Sequence, residues 1–520
     1  MSKLPLPFIH IKNDIDFKRK STSGTGLRIY TIPLLTIVIL LILVARLFQL
    51  TIVKGAYFRT LAENNRIREV MIPAPRATIV DRMGIILAKS EGKKRIYSDP
   101  EANAHFLGYV QSASPTDISQ DACKNKLASG DETGKKGVEN IYECAIRGIN
   151  GKKLVEVDAG EKPIKVMSVI APIKQPNLRV SLDADLQKKA YEAIENNKEV
   201  VGKRVAVIAT RPDTGEILAL LSLPTFSSTA FIENDAHQIT QYFKDEEKPL
   251  LNRVFQGTYP PGSVFKPVIA AGALEEKKID EKTIIEDTGT IKAGAATFGN
   301  WYFLQYGKTE GNVDIVKAIR RSNDIFFYRV GARLGDIAIK KWAEKFGYGK
   351  DIGTIPSSFW KQETIKENWY LGDTYNMSIG QGYTLVTPGQ VNQANAVFAN
   401  GGSLCTLKML FKEKPECHSL GLSKKTIDLI REGMKGACAP GGTGWPLFNF
   451  AVNKKPISVG CKTGTAQSHE LSGLPHAWFS IFAPFENPEI MITVMVEESG
   501  EGSNVAAPIA KKMLETYFGR

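Results

Sequence analysis

An apolar segment near the N-terminus, residues 29–53, constrains this chain more than any other feature. Residues 29–45 carry no charged side chain, and the whole segment can cross a bilayer as a helix if Arg46 reaches an interface. No other stretch of the sequence is long and apolar enough to do so. A cleaved signal peptide is the alternative. The apolar run is long for a signal peptide, however, and no small-x-small cleavage site follows the run before Arg46. We therefore predict an uncleaved transmembrane helix over residues 29–53.

The charges that precede this segment predict which way it crosses the membrane. Residues 1–28 hold six basic side chains against two acidic ones: Lys3, Lys12, Lys18, Arg19, Lys20 and Arg28, against Asp14 and Asp16. Because basic flanks stay on the cytoplasmic side, we predict a cytoplasmic tail over residues 1–28, a single-pass protein of the cell membrane, and an extracytoplasmic remainder. The net charge is +12, but no aromatic-basic stripe or nucleic-acid motif accompanies it, so we expect no nucleic-acid partner.

The 520 residues are enough for more than one domain with a substantial core. We predict a small α+β domain over residues 54–175, where a helical continuation of the anchor precedes a polar, glycine- and proline-punctuated stretch and short strand patterns. A larger domain over residues 176–520 has strand patterns at both ends and helical patterns between them, with Asp183 as an N-cap. The strand patterns cover residues 205–210, 216–223, 477–483 and 490–496, and the helical patterns cover 268–276, 313–334, 424–436 and 508–518. This order predicts an α+β fold in which one antiparallel sheet is sandwiched with helices.

Six cysteines fall in the part of the chain that we place outside the membrane, where disulfides form. The sequence alone allows many pairings, and proximity along the chain suggests Cys123–Cys144, Cys405–Cys417 and Cys438–Cys461. No Cys-x-x-Cys or Cys/His spacing typical of a metal site is present. We therefore expect neither a metal nor another cofactor.

Residues 259–267 contain a candidate nucleophile, Ser263, three positions before a lysine, Lys266. Two prolines and a glycine before Ser263 are typical of a turn that enters a helix. Residues three apart share one helical face, so the ammonium of Lys266 can reach the hydroxyl of Ser263, and a lysine whose pKa is lowered by burial can act as its base. The same spacing recurs at Ser90/Lys93 and Ser358/Lys361, so the pattern alone also fits a helix cap or an exposed pair.

Two further short motifs follow this one along the chain. Ser322-Asn323-Asp324 precedes an apolar helical run, where a polar triplet is often an N-cap. Lys462-Thr463-Gly464, followed by Thr465, occurs once, and such a triplet can simply end a strand. A glycine in a strand also allows another molecule to approach the backbone closely.

In this order and at these domain-scale gaps, the three motifs resemble the active-site motifs of penicillin-binding proteins and serine β-lactamases. The resemblance extends to residues 76–84, residues 251–266, residues 372–374 and residues 378–383. Nearly the whole chain after the anchor is thus similar to bacterial class B penicillin-binding proteins, closest to the penicillin-binding protein 2 group of elongation-type enzymes. This resemblance implies a pedestal of the dimerisation type over residues 54–175 and a penicillin-binding transpeptidase domain over residues 176–520.

The resemblance also implies an activity, a serine-type D,D-transpeptidase that cross-links peptidoglycan and binds β-lactams. Ser263 would attack the carbonyl of a terminal D-Ala-D-Ala, Lys266 would be the base, and Ser322 would relay a proton to the departing D-Ala. Asp324 stands where many relatives carry Asn, so the resemblance leaves open whether this side chain acts as a neutral amide. The predicted substrate-binding residues are Asn323, Lys462, Thr463, Gly464 and Thr465. Backbone N–H groups of Ser263 and Thr465 would form the oxyanion hole.

Other functions fit part of the pattern. A β-lactamase would add a base that activates water, but Glu363 and Glu367, between the second and third motifs, do not have the E-x-x-x-N surroundings of class A enzymes. A bifunctional enzyme would need a glycosyltransferase domain, for which residues 54–175 are too short. A non-catalytic scaffold or β-lactam sensor would not be expected to keep all three motifs with a single membrane span.

Residues 378–382 and the S-x-D form of the second motif favour a role in cell-wall elongation, with a division-type transpeptidase as the alternative. The resemblance then implies a glycosyltransferase partner of the SEDS (RodA-like) family and other elongation-complex membrane proteins. We expect the anchor and pedestal to make these contacts.

Overall fold

The computed structural model describes residues 26–92, 94–158, 160–350, 369–468 and 473–520. Most of the predicted cytoplasmic tail, the pair Ser358/Lys361, and both Glu363 and Glu367 lie outside the described residues. The chain divides into two compact units, one of residues up to 72 with 152–171 and the other of residues 73–151 with 172–520. The residues predicted to form the pedestal are divided between these units, and the domain boundary after residue 175 stays a prediction.

The first unit contains the anchor helix and a small sheet. The apolar segment forms an α-helix, Gly26–Phe48, that continues as a π-helical turn, Gln49–Val53. In the described part of the chain, Thr31–Val53 is the one helix long and apolar enough to cross a membrane, with a mean hydropathy of 2.6. A further helix, Gly55–Arg66, follows it. The sheet has the strand order Ile67–Ile72, Gly151–Val157 and Pro163–Ile170.

A buried network of charged side chains supports the start of the second unit. Arg76 pairs with Glu139 at 2.8 Å and with Glu143 at 2.7 Å, and Arg95 pairs with Glu139 at 2.7 Å. All four side chains are buried. Because each buried charge faces an opposite charge, their attraction offsets the cost of removing them from water. The surrounding elements are the strands Ile79–Val80, Ile86–Glu91, Lys94–Tyr97, Val110–Ser112, Glu132–Gly134 and Leu178–Arg179, and the helices Ala104–Leu107, Pro115–Ser119, Gly137–Ile141 and Glu143–Ile146.

A five-stranded antiparallel sheet forms the centre of the second unit. Its strands, in spatial order, are Ile217–Leu223, Val205–Thr210, Ile490–Val496, His476–Ala483 and Gly460–Ala466. Apart from Thr465, every residue of these strands is buried. Successive side chains point to opposite faces, so that Val207 and Phe479 join one apolar cluster whereas Ile208 and Trp478 join the other.

Helices cover both faces of this sheet, which confirms the predicted sandwich. Ala184–Glu195 and Ala506–Phe518 pack on one face, and Lys266–Glu275 and Pro388–Ala399 pack on the other. Asp183 caps the first of these helices, as predicted, by accepting the N–H of Leu186 at 3.0 Å. The other helices are Ser228–Ile232, Ala236–Lys244, Trp301–Tyr306, Ile315–Arg321, Asp324–Leu334, Asp336–Lys345, Leu371–Ser378 and Lys424–Ala437. The smaller strands are Ile285–Asp287, Thr290–Ala293, Ala296–Gly299, Gly311–Val313, Ser403–Cys405, Cys417–Ser419, Ala451–Val452 and Lys455–Pro456.

The helical pattern predicted over residues 313–334 is interrupted at the second motif. One helix ends at Arg321, Ser322 adopts the left-handed conformation (φ 54°, ψ 38°), and the next helix begins at Asp324. The Asn323 side chain stabilises the new helix by accepting the N–H of Phe326 at 2.8 Å. The break therefore turns the chain sharply at Ser322.

The structure contains the three disulfides suggested by sequence proximity, Cys123–Cys144, Cys405–Cys417 and Cys438–Cys461. The third joins the C-terminal end of the helix Lys424–Ala437 to the edge strand of the central sheet. Cys461 directly precedes Lys462, so this disulfide fixes the strand that carries the third motif.

Candidate active site

A cleft of about 820 Å³ lies along the edge strand Gly460–Ala466 of the central sheet. Residues from all three motifs line it: Ser263, Ser322, Asp324, Thr463, Gly464 and Thr465. Lys266, Asn323 and Lys462 are fully buried next to these residues. The fold thus brings the three motifs together: Ser322 contacts Lys266, 56 residues before it, and Lys462, 140 residues after it.

Ser263 is partly exposed in a 3₁₀ turn, Gly262–Phe265, directly before the helix Lys266–Glu275. The turn lies against the edge strand, because a Cβ on Gly262 would be 3.1 Å from the carbonyl oxygen of Thr465. A Cβ on Gly464 would be 3.0 Å from Val264. Gly262 also donates its N–H to the carbonyl of Gly380 at 2.8 Å. Glycine on both sides therefore permits the close approach that places Ser263 at the cleft.

Lys266 is buried, and its ammonium is held by the second motif. It donates to Asp324 Oδ1 at 2.7 Å, to the Ser322 carbonyl at 2.8 Å and to Ser322 Oγ at 3.3 Å. In the part of the chain that the structure describes, no hydrogen bond joins it to the hydroxyl of Ser263. The expected direct contact is absent here because a carboxylate and a carbonyl already surround the amine. Burial lowers the pKa of Lys266, and the Asp324 carboxylate partly offsets this by raising it.

Ser322 lies between two lysines. Lys462 donates to Ser322 Oγ at 2.8 Å and to the carbonyl of Thr463 at 3.0 Å. Burial and the neighbouring charge of Lys266 hold the pKa of Lys462 well below its ordinary value. When one amine is neutral, the Ser322 hydroxyl can donate to it while accepting from the other. The geometry therefore provides a hydrogen-bonded path between the two amines through a single hydroxyl.

Asn323 and Asp324 point in different directions from the break at Ser322. Asn323 does not line the cleft, because its amide caps the helix and donates to Asp287 Oδ2 at 2.9 Å. Asp324 reaches the cleft, where its Oδ1 binds Lys266 and its Oδ2 accepts the N–H of Trp301 at 2.9 Å. The substrate-binding role predicted for Asn323 stays a prediction, whereas its contacts favour a positioning role.

Two threonines of the edge strand face the cleft. The hydroxyl of Thr463 is 2.7 Å from that of Thr443, and Thr465 is exposed. Gly460–Ala466 is the outermost strand, so one side of its backbone has no neighbouring strand in the described residues. An extended peptide can add to such an edge, with the two hydroxyls beside its carboxylate.

The comparisons with known proteins identify this arrangement. A family model of the penicillin-binding protein transpeptidase domain matches residues 205–515, and a model of the penicillin-binding protein dimerisation domain matches residues 90–180. The chain belongs to the penicillin-binding protein transpeptidase family. Its two matched domains are those of a class B penicillin-binding protein, which confirms the resemblance drawn from the motifs.

Relatives of this class B penicillin-binding protein include the peptidoglycan D,D-transpeptidase MrdA of Salmonella typhimurium, which is 32% identical over 456 residues, 80% of this chain and 71% of that protein. Among solved structures it is similar to penicillin-binding protein 2 of Helicobacter pylori in complex with MreC (TM-score 0.74, 26% identity, 87% of this chain and 99% of that one). It is also similar to a chain of a peptidoglycan synthase complex that coordinates polymerisation and crosslinking (TM-score 0.75, 25% identity, 95% and 99%).

Sequence reasoning missed three residues that support the site of this penicillin-binding protein. Trp301 donates its backbone N–H to Asp324, Thr443 contacts Thr463, and Asp287 binds Asn323. None of the three lies in a recognisable motif. The cysteine pairing gave an indirect signal for Thr443, because the bond Cys438–Cys461 closes a loop that contains it.

Proposed function

We propose that this class B penicillin-binding protein is a peptidoglycan D,D-transpeptidase of the MrdA type that cross-links stem peptides during cell-wall elongation, with Ser263 as its nucleophile. One observation carries the assignment: a partly exposed serine lies in a cleft whose floor holds two buried lysines, both with a lowered pKa, connected by the hydroxyl of Ser322. Acyl transfer needs these groups, since a serine must lose its proton and a leaving amine must gain one.

In the acylation step, the Ser263 oxygen attacks the carbonyl carbon between the two terminal D-alanines. Its proton passes to the neutral amine of Lys266, three residues along the chain. The backbone N–H groups of Ser263 and Thr465 bind the oxyanion; losing one such donor typically costs about 3 kcal/mol in the transition state. The C–N bond to the last D-alanine then breaks and an acyl-enzyme remains.

Departure of D-alanine needs a proton on its nitrogen. Ser322 supplies it and is reprotonated by Lys266 or Lys462, both of which donate to its oxygen. Lys462 is fully buried and donates to the carbonyl of Thr463, and the hydroxyls of Thr463 and Thr465 bind the substrate carboxylate beside its charge. A bound carboxylate favours the protonated form of Lys462 and so opposes the effect of burial on its pKa. An amine from a second stem peptide then attacks the acyl-enzyme carbonyl and loses a proton; the cross-linking amide forms as the C–O bond to Ser263 breaks and the serine oxygen is reprotonated.

A β-lactamase would have to activate water for rapid deacylation. Two acidic side chains line the described part of the cleft, Asp324 and Glu501. Asp324 is bound to Lys266 and to Trp301, and Glu501 accepts from Gln305 at 2.6 Å. Both oxygens of Asp324 are therefore engaged, so Asp324 is not available to activate water, which favours transpeptidation over hydrolysis assisted by this carboxylate.

We further propose that the N-terminus is cytoplasmic, that the catalytic unit lies outside the cell membrane, and that a SEDS (RodA-like) glycosyltransferase and other elongation-complex membrane proteins bind the anchor and pedestal. Support comes from the apolar helix Thr31–Val53 and from the similarity to proteins solved with MreC and in a peptidoglycan synthase complex. Failure of this protein and the glycosyltransferase to copurify in detergent, with the tag on either protein, would contradict the partner proposal.

Covalent labelling tests the catalytic proposal. The full chain in detergent is incubated with a fluorescent penicillin, chased with unlabelled drug, and digested for mass spectrometry. We expect a label that survives the chase for hours and an adduct on the peptide that contains Ser263. A label lost within seconds would indicate a hydrolase, and no label on folded protein would indicate a scaffold. An adduct on another residue would overturn the choice of nucleophile.

Asp324→Asn should shift the acid limb of the acylation pH profile to lower pH. The Asp324 carboxylate raises the pKa of Lys266, so its removal lets Lys266 lose its proton at lower pH and become a base there. The new amide can still accept the N–H of Trp301 while it donates to the neutral amine. The measurement is the second-order labelling rate between pH 5 and pH 9, with Asp183→Asn, a buried carboxylate outside the cleft, as control. An acid limb that stays in place or moves to higher pH would contradict the prediction.

A further inference from the structure

Asp287 is a buried carboxylate outside the three motifs. It lies at the end of the short strand Ile285–Asp287 and is 3% exposed. Its Oδ2 accepts from Asn300 Nδ2 at 2.7 Å, from Asn323 Nδ2 at 2.9 Å and from the backbone N–H of Glu310 at 2.9 Å. Its Oδ1 accepts the N–H of Gly289 at 2.9 Å. No Lys or Arg side chain pairs with it in the described ranges, so neutral N–H donors alone stabilise the charge.

The two asparagine side chains whose NH2 groups bind Asp287 use their carbonyl oxygens to bind the backbone of the second motif and of the helix that follows it. Asn323 Oδ1 accepts the N–H of Phe326 at 2.8 Å, and Asn300 Oδ1 accepts the backbone N–H of Asp324 at 3.1 Å. The carboxylate therefore fixes two amide groups, and each amide fixes the backbone on one side of Asp324. None of the three side chains lines the cleft, so none can contact a bound peptide.

The backbone at Ser322 explains why this support is needed. Ser322 is left-handed, a conformation that a residue with a Cβ adopts only when its surroundings impose it. Its hydroxyl must meet the amines of Lys266 and Lys462, and the adjacent Asp324 must meet Lys266 at the same time. A small rotation of residues 322–324 would break these contacts together.

We propose that Asp287 is a positioning residue for acyl transfer. Through Asn300 and Asn323 it holds Ser322 and Asp324 within hydrogen-bonding distance of the buried lysines. The inference deepens the proposed function and rests on the roles given there to Lys266, Ser322 and Asp324. It assigns no contact between Asp287 and substrate.

Two variants separate positioning from folding. In Asp287→Asn, the amide NH2 group faces other N–H donors in either orientation, because such donors approach both carboxylate oxygens. The substitution therefore replaces hydrogen bonds with repulsion between donors. Asn323→Ser keeps an oxygen that can cap the helix at Phe326 but removes the donor to Asp287. Asp183→Asn is the matched control, since Asp183 is also a buried helix-capping carboxylate but lies outside the cleft.

The experiment follows labelling of the full chain by a fluorescent penicillin over a range of concentrations. The labelled amplitude reports the folded fraction, the half-saturating concentration reports binding, and the rate constant at saturation reports the chemical step. We expect Asp287→Asn and Asn323→Ser each to lower that rate constant by about 10- to 100-fold, the usual cost of misplaced reacting groups, with half-saturation unchanged. The double variant should be no slower than the slower single variant, because both substitutions break the same hydrogen bond between Asn323 and Asp287. Asp183→Asn should change amplitude or thermal stability only.

Either of two results would overturn the inference: a wild-type rate constant in Asn323→Ser, or rate losses that multiply in the double variant. If Asp287→Asn gives no folded protein, Asn323→Ser alone decides between these outcomes. Ser263→Ala is run in parallel, because a label retained by that variant would refute the proposed function itself rather than the role of Asp287.

Discussion

Ser263→Ala should abolish covalent labelling by penicillin and leave the stability of the protein unchanged. The substitution removes one oxygen atom that is partly exposed in the cleft. That hydroxyl makes no hydrogen bond to Lys266 in the described structure, so its loss leaves no buried group unsatisfied. We therefore expect the free energy of unfolding to stay within about 0.5 kcal/mol of wild type. The acyl-enzyme bond cannot form at all without the oxygen.

The sequence provides a matched control for this experiment. Ser90 has the same S-x-x-K spacing, with Lys93, but lies on the strand Ile86–Glu91, away from the cleft. Ser90→Ala should label to the wild-type extent, measured by gel fluorescence, while Ser263→Ala gives none at any concentration. Thermal unfolding of both variants, followed by circular dichroism, shows whether each is folded. Residual labelling of Ser263→Ala would mean that another residue is the nucleophile.

Four of the five strands of the central sheet could be predicted from the sequence because they are mainly apolar runs bounded by turns, whereas the edge strand Gly460–Ala466 contains Lys462, Thr463 and Thr465 and shows no such run. Residues 490–496 illustrate this: their apolar run predicts a strand, and the strand Ile490–Val496 is buried on both faces. The turn before Ser263 was equally readable, since two prolines and a glycine restrict the backbone strongly. Local chemistry is sufficient where one segment determines its own conformation.

The second motif shows where a local reading of the sequence is incomplete. A polar triplet before an apolar run is often a helix cap, and Asn323 is the cap of the helix Asp324–Leu334. The same triplet also carries Ser322 and Asp324 to the cleft. The apolar pattern continues on both sides of it, so the periodicity of residues 313–334 contains no sign of the break. The left-handed conformation at Ser322 depends on contacts with distant residues.

These contacts between residues distant in sequence are the part of the site that could not be predicted from the sequence. The ion pair between Lys266 and Asp324 spans 58 residues, and the bond between Asn323 and Asp287 spans 36. No periodicity or spacing rule relates such positions, and Asp287 lies in a segment of short strands without a motif. The family resemblance predicts the reacting groups, and the fold shows which residues hold them in place.

Lys266→Met should reduce the acylation rate about a thousandfold and also destabilise the protein, for two separate reasons. The substitution removes the proposed base, and a positioned acid or base usually contributes about 100- to 10,000-fold. It also leaves the buried carboxylate of Asp324 without its cation, since Lys266 is its ion-pair partner at 2.7 Å. Removing one partner of a buried pair typically costs about 3 to 5 kcal/mol. Methionine nearly preserves the volume and shape of the lysine stem, so a cavity contributes little.

A second substitution separates these effects. In Lys266→Met with Asp324→Asn, the unpaired charge is gone, and the new amide can still accept the N–H of Trp301. The double variant should therefore regain most of the lost stability in chemical denaturation, yet acylate penicillin as slowly as Lys266→Met. Lys408→Met is the control, because Lys408 is a buried lysine outside the cleft whose carboxylate partner, Glu416, is exposed. It should lose stability without a change in the acylation rate constant.

The acylation rate constant and the stability in chemical denaturation together assign the role of Lys266, without any argument from related proteins. If the double variant recovered both stability and rate, Lys266 would serve only to neutralise Asp324, and the base would have to be the other buried lysine, Lys462. If Lys266→Met alone acylated within about tenfold of wild type, the general-base assignment would fail, because that loss is smaller than such catalysis contributes. Recovery of stability with a persistent loss of rate is the result that the geometry predicts.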